Sequence, residues 1–200
     1  MTEPVLLLIL LDFASVGLLG AAFFRRGGRP GLKWWATVLP IMLCPVLLVA
    51  AYAAGLTPLT PARWAGPAQQ AAVVLSAASI ALMFYTWGTH RVRLYLWHQT
   101  GDAPQEIVTY GAYRWIRHPF YTAYLLLFLA AAAFFPSWAT FGLVAYMLVA
   151  LTLTAAGEEQ RLSASAFGAE YRRYLASTGR FVPRLAAWPG IRRATHEEPT

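Results

Sequence analysis

Residues 105–121, QEIVTYGAYRWIRHPFY, crowd a histidine, two arginines, three tyrosines and a glutamate against the start of an apolar run, and Glu158 and Glu159 stand at the end of another. Ionisable groups at or inside a membrane boundary are expensive, so such a cluster is read first as a functional site. The residue types suit capture of a polar ligand: carboxylates pair a cation, and histidine and phenol donors hold an oxygen. Ordinary roles compete for each residue singly. Pro119 suits the first turn of a helix and His118 can cap it. Trp34, Trp35, Trp115 and Trp138 read as aromatic-belt residues, Arg91 and Arg93 as boundary anchors, and the glutamates as the acidic start of a tail helix. None of these explains Tyr113, Arg114, Arg117 and Tyr121 together with a facing glutamate pair.

The elements that must position these groups follow from composition. With 58% hydrophobic and 12% charged residues, the 200-residue chain is too apolar for a soluble surface. Runs of about 20 apolar residues cross a bilayer as helices, and five are expected, over 4–24, 34–56, 68–88, 119–135 and 139–157. The fold class is therefore all-α: a polytopic membrane bundle with a short amphipathic segment after the fifth span. Arg25, Arg26, Arg29 and Lys33 fill the first connection, whereas the second offers only Arg63. The positive-inside rule then puts the N-terminus outside and 89–118 and the C-terminal tail in the cytoplasm. Pro136-Ser137-Trp138 makes spans four and five an antiparallel hairpin, which brings Glu158 and Glu159 near His118. Pro40 and Pro45 are expected to kink the second span, and Asp12 to lie near the interface or pair inside the bundle. In the tail, Phe167, Tyr171, Tyr174 and Leu175 form a stripe opposed by Glu170, Arg172 and Arg173, expected on the inner interface with Gly168 interrupting it.

Several classes fall away. The net charge of +7 comes mostly from arginines flanking apolar spans, with no long basic stripe, so nucleic acid is not expected as a partner. His90, His98, His118 and His196 lack ligand-like spacing, so no metal is expected. The single Cys44 excludes an internal disulfide, and Gly17 and Gly20 lack the strand and helix context of a phosphate-binding loop.

GAYRWIRHPFY, followed after one hairpin by EEQRL, FGAEYRRY and RFVPRL, resembles the isoprenylcysteine carboxyl methyltransferase and phospholipid methyltransferase superfamily of integral-membrane enzymes over about residues 85–185. The resemblance implies S-adenosylmethionine as cofactor, in a cytoplasmic pocket lined by Tyr113, His118, Pro119, Phe120 and Tyr121. It adds Gln105, Glu106, Ile107 and Val108 from a preceding loop, His98 further upstream, and Glu158, with Glu159 second, as the cofactor-binding acid. It divides the chain into a two-span region (1–67), a methyltransferase core (68–185) and a flexible tail (186–200). The implied activity is methyl transfer to a lipophilic acceptor taken from the bilayer, a lipid amine, thiol, hydroxyl or carboxylate, with no obligate protein partner. Thr154 stands where isoprenylcysteine enzymes have a substrate-binding arginine, which disfavours a carboxylate acceptor. A sterol-reductase-like NADPH enzyme and a non-catalytic membrane scaffold are the competing readings.

Overall fold

A computed structural model describes residues 3–23, 32–89 and 107–184. His98, Gln105 and Glu106, with Arg91 and Arg93, lie outside the described residues. The described chain is all-helical: α1 (Glu3–Phe23), α2 (Leu32–Ala53), α3 (Ala62–Thr89), a 3-10 turn at Gly111–Arg114, α4 (Pro119–Phe134), α5 (Trp138–Ala164) and α6 (Gly168–Ser177). Among these residues, Trp35–Ala53, Ala62–Thr89 and Trp138–Ala164 are long and apolar enough to cross a membrane, and Pro119–Phe134 is a shorter apolar helix. Two helices outrun the stretches that hydropathy marks. α3 begins six residues early, and α5 continues through Glu158 and Glu159 to Ala164, because helix continues where membrane-like composition stops.

Local chemistry fixes the ends. α2 stops at Gly55, whose φ of 65° lies in the left-handed region. Gly55 N–H donates to Tyr52 O (3.1 Å) and Leu56 N–H to Ala51 O (3.0 Å), a Schellman closure that satisfies the last carbonyls. The α4–α5 turn is set by a reciprocal capping box: Thr140 N–H donates to Ser137 Oγ (3.2 Å) and Ser137 N–H to Thr140 Oγ1 (3.0 Å). Leu59 N–H donates to Pro136 O (2.8 Å), tying the α2–α3 loop to this turn at one end of the bundle. The polar cluster therefore gathers at the opposite end.

Between helices in lipid, contact depends on close packing and hydrogen bonds, which favours small residues at the seam. α3 buries Ala72, Ser76, Ser79, Met83 and Thr86, a 4-3-4-3 spacing, against α4, which buries Phe120, Ala123, Leu127, Ala130 and Phe134 at the complementary 3-4-3-4 spacing. α1 joins this seam through Asp12, which is fully buried and accepts from Ser76 Oγ and Ser79 Oγ at 3.0 Å each. Of the two expectations for Asp12, pairing inside the bundle is the one observed. One packed core takes in residues of α1 to α5 and the edge of Phe181. α2 runs through both Pro40 and Pro45. Pro40 has no N–H to offer Ala36 O one turn back, and Tyr146 of α5 donates its hydroxyl to that carbonyl instead (2.9 Å).

The stripe on α6 faces protein: Tyr171 and Tyr174 are buried while Glu170, Arg172 and Arg173 are exposed. The break in the stripe falls at 165–167, between α5 and α6, and Gly168 opens α6 where a Cβ would run into the Ser163 carbonyl.

Candidate active site

The 3-10 turn begins at Gly111, with φ of 60°, and a Cβ there would enter the space of the Thr89 side chain at the end of α3. Only glycine serves both demands. Tyr113 follows, and its carbonyl accepts from the Tyr174 hydroxyl of α6 (2.6 Å). At the junction into α4, Pro119 is fully buried as the first helical residue. His118 occupies the cap position but makes no side-chain cap, which releases its ring for other work.

A strap after α6 holds this junction. Ile116 pairs with Gly179 in a single parallel bridge. Arg117 N–H donates to Gly179 O (2.8 Å), His118 N–H to Arg180 O (3.1 Å) and Thr122 Oγ1 to Phe181 O (2.9 Å). Arg117 also donates to the carbonyls of Leu175 and Thr178, binding the end of α6 to the same corner.

His118 then stands between the two glutamates of α5. Its Nδ1 lies 3.5 Å from Glu158 Oε2 and its Nε2 lies 3.2 Å from Glu159 Oε1. The ring stacks parallel on Tyr121 (centroids 5.3 Å apart, 1° between planes) and meets the edge of Phe181. Both glutamates are buried, at 7% exposure each, which removes the solvated-helix-start reading.

Their partners differ. Glu159 Oε1 accepts from Arg117 Nε (3.0 Å) and Arg180 Nε (3.1 Å), and its Oε2 from Arg180 Nη2 (2.6 Å), so it is saturated by two guanidiniums and His118. Glu158 accepts from the Tyr121 hydroxyl (2.6 Å) and faces His118, with no guanidinium bonded to it among the described residues. Each carboxylate has about four lone-pair sites, so Glu158 retains capacity that Glu159 has spent. Tyr121 and Tyr124 stand with ring centroids 6.3 Å apart on the adjoining turn of α4.

Outside the spans, burial above all pushes the Tyr113 phenol well above the ordinary tyrosine range, with the fields of Tyr174 and Glu158 adding to it. Burial does the same to Tyr171, reinforced by Glu159, and to Tyr174. These phenols stay protonated near neutrality and are not available as bases, and that of Tyr174 donates to the Tyr113 carbonyl. The hydrogen bond to Glu159 raises Arg180 still further.

Of the residues expected here, the structure gathers His118, Tyr121, Glu158 and Glu159, with Tyr113 within electrostatic reach of Glu158. Phe120 turns into the apolar core, and Ile107 and Val108 are half-buried ahead of the 3-10 turn. The sequence reading missed Arg180 and Phe181 as partners of the site. Their only trace was the RFVPRL segment, and one non-local bridge leaves no periodicity to detect. The donor set fits the amino-acid part of S-adenosylmethionine: a buried carboxylate with spare acceptor sites beside aromatic rings suits an ammonium and a sulfonium.

A family model described as phospholipid methyltransferase matches residues 68–170. No curated protein matches the chain.

Proposed function

Because the chain belongs to the phospholipid methyltransferase family, we propose that it transfers a methyl group from S-adenosylmethionine to a lipid amine at the membrane interface. The observation that carries the reading is the contrast between the saturated Glu159 and the under-used Glu158. Glu158 holds the cofactor ammonium, Tyr121 and His118 hold the Glu158 carboxylate in place, and Tyr113 and Tyr121 line the pocket. Bound there, the cofactor supplies an already activated methyl, so the protein's tasks are alignment and exclusion of water. The strap and the buried tyrosines serve exclusion, since Phe181 packs against His118 while Tyr171 and Tyr174 are buried on α6, Tyr174 bonded to the Tyr113 carbonyl.

Thr154 supports an amine acceptor over a carboxylate. It lies one helical turn before Glu158 and spends its hydroxyl on Ala150 O (2.8 Å), so that position offers no cation to hold an acid. For orientation, we place the N-terminus outside a five-span bundle on the positive-inside rule, with the Leu59–Pro136 bond at one end of the bundle and the arginine-rich corner at the other. Single cysteines placed at Thr60 and Ser177 in a Cys44→Ala background should label from opposite sides of a sealed vesicle.

The deciding experiment titrates the purified chain with S-adenosylmethionine, S-adenosylhomocysteine and NADPH, then follows labelled methyl into a total lipid extract. Binding of both sulfur nucleosides, weakened by Glu158→Gln, and label in an amine-containing lipid are expected. Binding of NADPH alone, or sulfur-nucleoside affinity unchanged by Glu158→Gln and His118→Ala, overturns the reading.

A further inference from the structure

On the face of α5 away from Glu158, a cleft of about 440 Å³ opens between α5, α6 and the strap. Its walls include Ala156, Gln160 and Ser163 of α5, Leu175 of α6, and the Glu159–Arg180 pair. At 100° per residue, Gln160 points some 200° around the helix from Glu158, so the cleft and the proposed cofactor pocket lie on opposite sides of one helix. The cleft sits where the apolar sequence of α5 gives way to charge, the depth at which lipid headgroups lie.

Its chemistry is that of an amphiphile site. Arg180 engages Glu159 through Nε and Nη2, which leaves one guanidinium nitrogen for a ligand, and its side chain is 34% exposed. Arg172 donates to Ser163 O (2.9 Å) at one edge of the cleft, and Arg184 donates to the carbonyl of Ala176, next to Leu175, at another. Against these three cations stands Glu159, whose charge is already shared with Arg117 and His118. Glu170 lies on the exposed face of α6. Away from the charged end, the stripe continues as Leu153 and Val149, following the i, i+4, i+7, i+11 spacing of Val149, Leu153, Ala156 and Gln160. Leu153 is 68% exposed and Val149 59%. A polar mouth therefore leads into an apolar track along the membrane-facing side of a helix.

We propose that this cleft binds an anionic phospholipid, with its phosphate against Arg180, Gln160 and Ser163 and one acyl chain along Leu153 and Val149. The surrounding guanidiniums select against a zwitterionic lipid, because the terminal cation of its headgroup would meet Arg172 or Arg184. The site stands independently of the methyl-transfer reading, since it shares no ligand-binding residue with Glu158, His118 or Tyr121.

The test is native mass spectrometry of the full chain in detergent, titrated with phosphatidylglycerol, phosphatidylcholine and inorganic phosphate. Phosphatidylglycerol is expected to be retained at least tenfold more strongly than phosphatidylcholine, and millimolar inorganic phosphate is expected not to displace it. Ala156→Trp, which fills the cleft, should abolish that preference while binding of S-adenosylmethionine stays at the parent level. Arg172→Gln, on an exposed helix face, should weaken phosphatidylglycerol about fivefold, the effect of one basic residue near a lipid surface, and it decides the matter if Ala156→Trp does not fold. Equal retention of the two lipids, a preference that survives in folded Ala156→Trp, or phosphatidylglycerol retention unchanged in Arg172→Gln overturns the proposal. Displacement by inorganic phosphate overturns the lipid assignment in favour of a free-anion site.

Discussion

Neighbouring glutamates with different partners should fail in different ways when neutralised. Glu159→Gln removes the charge that two guanidiniums share, one of them on Arg117, whose side chain is 11% exposed. Breaking a buried ion pair by removing one partner costs about 3–5 kcal/mol, and the partial exposure of Arg180 puts this case at the lower end, about 3 kcal/mol. For a chain of this size that amounts to a fall of roughly 6–12 °C in Tm. Glu158→Gln keeps an oxygen to accept from Tyr121 and orphans no guanidinium, so its stability cost is expected below about 1.5 kcal/mol. Its effect falls on the cofactor, where losing a charge-assisted hydrogen bond of about 1.5–3 kcal/mol weakens binding ten- to a hundredfold. Thermal unfolding in detergent and S-adenosylmethionine titration, run on both variants, read the two effects separately. The reasoning is refuted if Glu158→Gln loses as much Tm as Glu159→Gln, or if folded Glu159→Gln loses cofactor affinity while Glu158→Gln keeps it.

Three further outcomes follow from the packing. Tyr146→Phe strips the partner from the carbonyl that Pro40 leaves unpaired and should cost about 0.6–1.7 kcal/mol, the range for side-chain hydrogen bonds in a membrane. In a Pro40→Ala background, where a backbone N–H returns, most of that loss should vanish in a double-mutant cycle. Gly111→Ala should cost at least about 1–2 kcal/mol from the left-handed backbone alone, more from the collision with Thr89, and Thr89→Ser should not rescue it, because Oγ stays in the way. Asp12→Leu breaks both serine bonds at the α1–α3 contact and should lower Tm, whereas Asp12→Asn, which still accepts from one serine and donates to the other, should lower it less.

Much of the bundle was legible because apolar length and charge are local properties of a chain. The hairpin that juxtaposes His118 with Glu158 and Glu159 could be read from two apolar runs and a three-residue turn. That the apolar face of α6 packs on protein was not legible, for a physical reason. A stripe of Phe167, Tyr171 and Tyr174 has the same period whether it faces lipid or protein, and only the Tyr174–Tyr113 contact at 2.6 Å distinguishes the two. Asp12 posed the same difficulty, since its serines lie 64 and 67 residues away and nothing local marks them. The strap was invisible for a third reason. It makes one bridge at Ile116 and two further hydrogen bonds, to His118 and Thr122 at the start of α4, too short a pairing for any alternation of side chains to develop.

Three consecutive residues of α5 meet three surroundings, because each step turns about 100° around the helix. Glu158 faces α4 and its tyrosines, Glu159 faces the strap and its arginine, and Gln160 faces the outer cleft. The position between the two proposed sites is thus held by Glu159, which pairs with two guanidiniums and His118. A neutral residue there would leave Arg117 and Arg180 repelling one another beside a ligand pocket, and a single unshared acid would have to choose between the strap and a ligand cation. Two adjacent acids resolve that conflict. Glu159 neutralises the guanidiniums that close the corner, and Glu158, relieved of that task, keeps acceptor capacity for the cofactor ammonium proposed above. The spacing demands adjacency: an acid one turn earlier, at position 155, would lie against the buried seam where Ala155 now packs with no exposure at all.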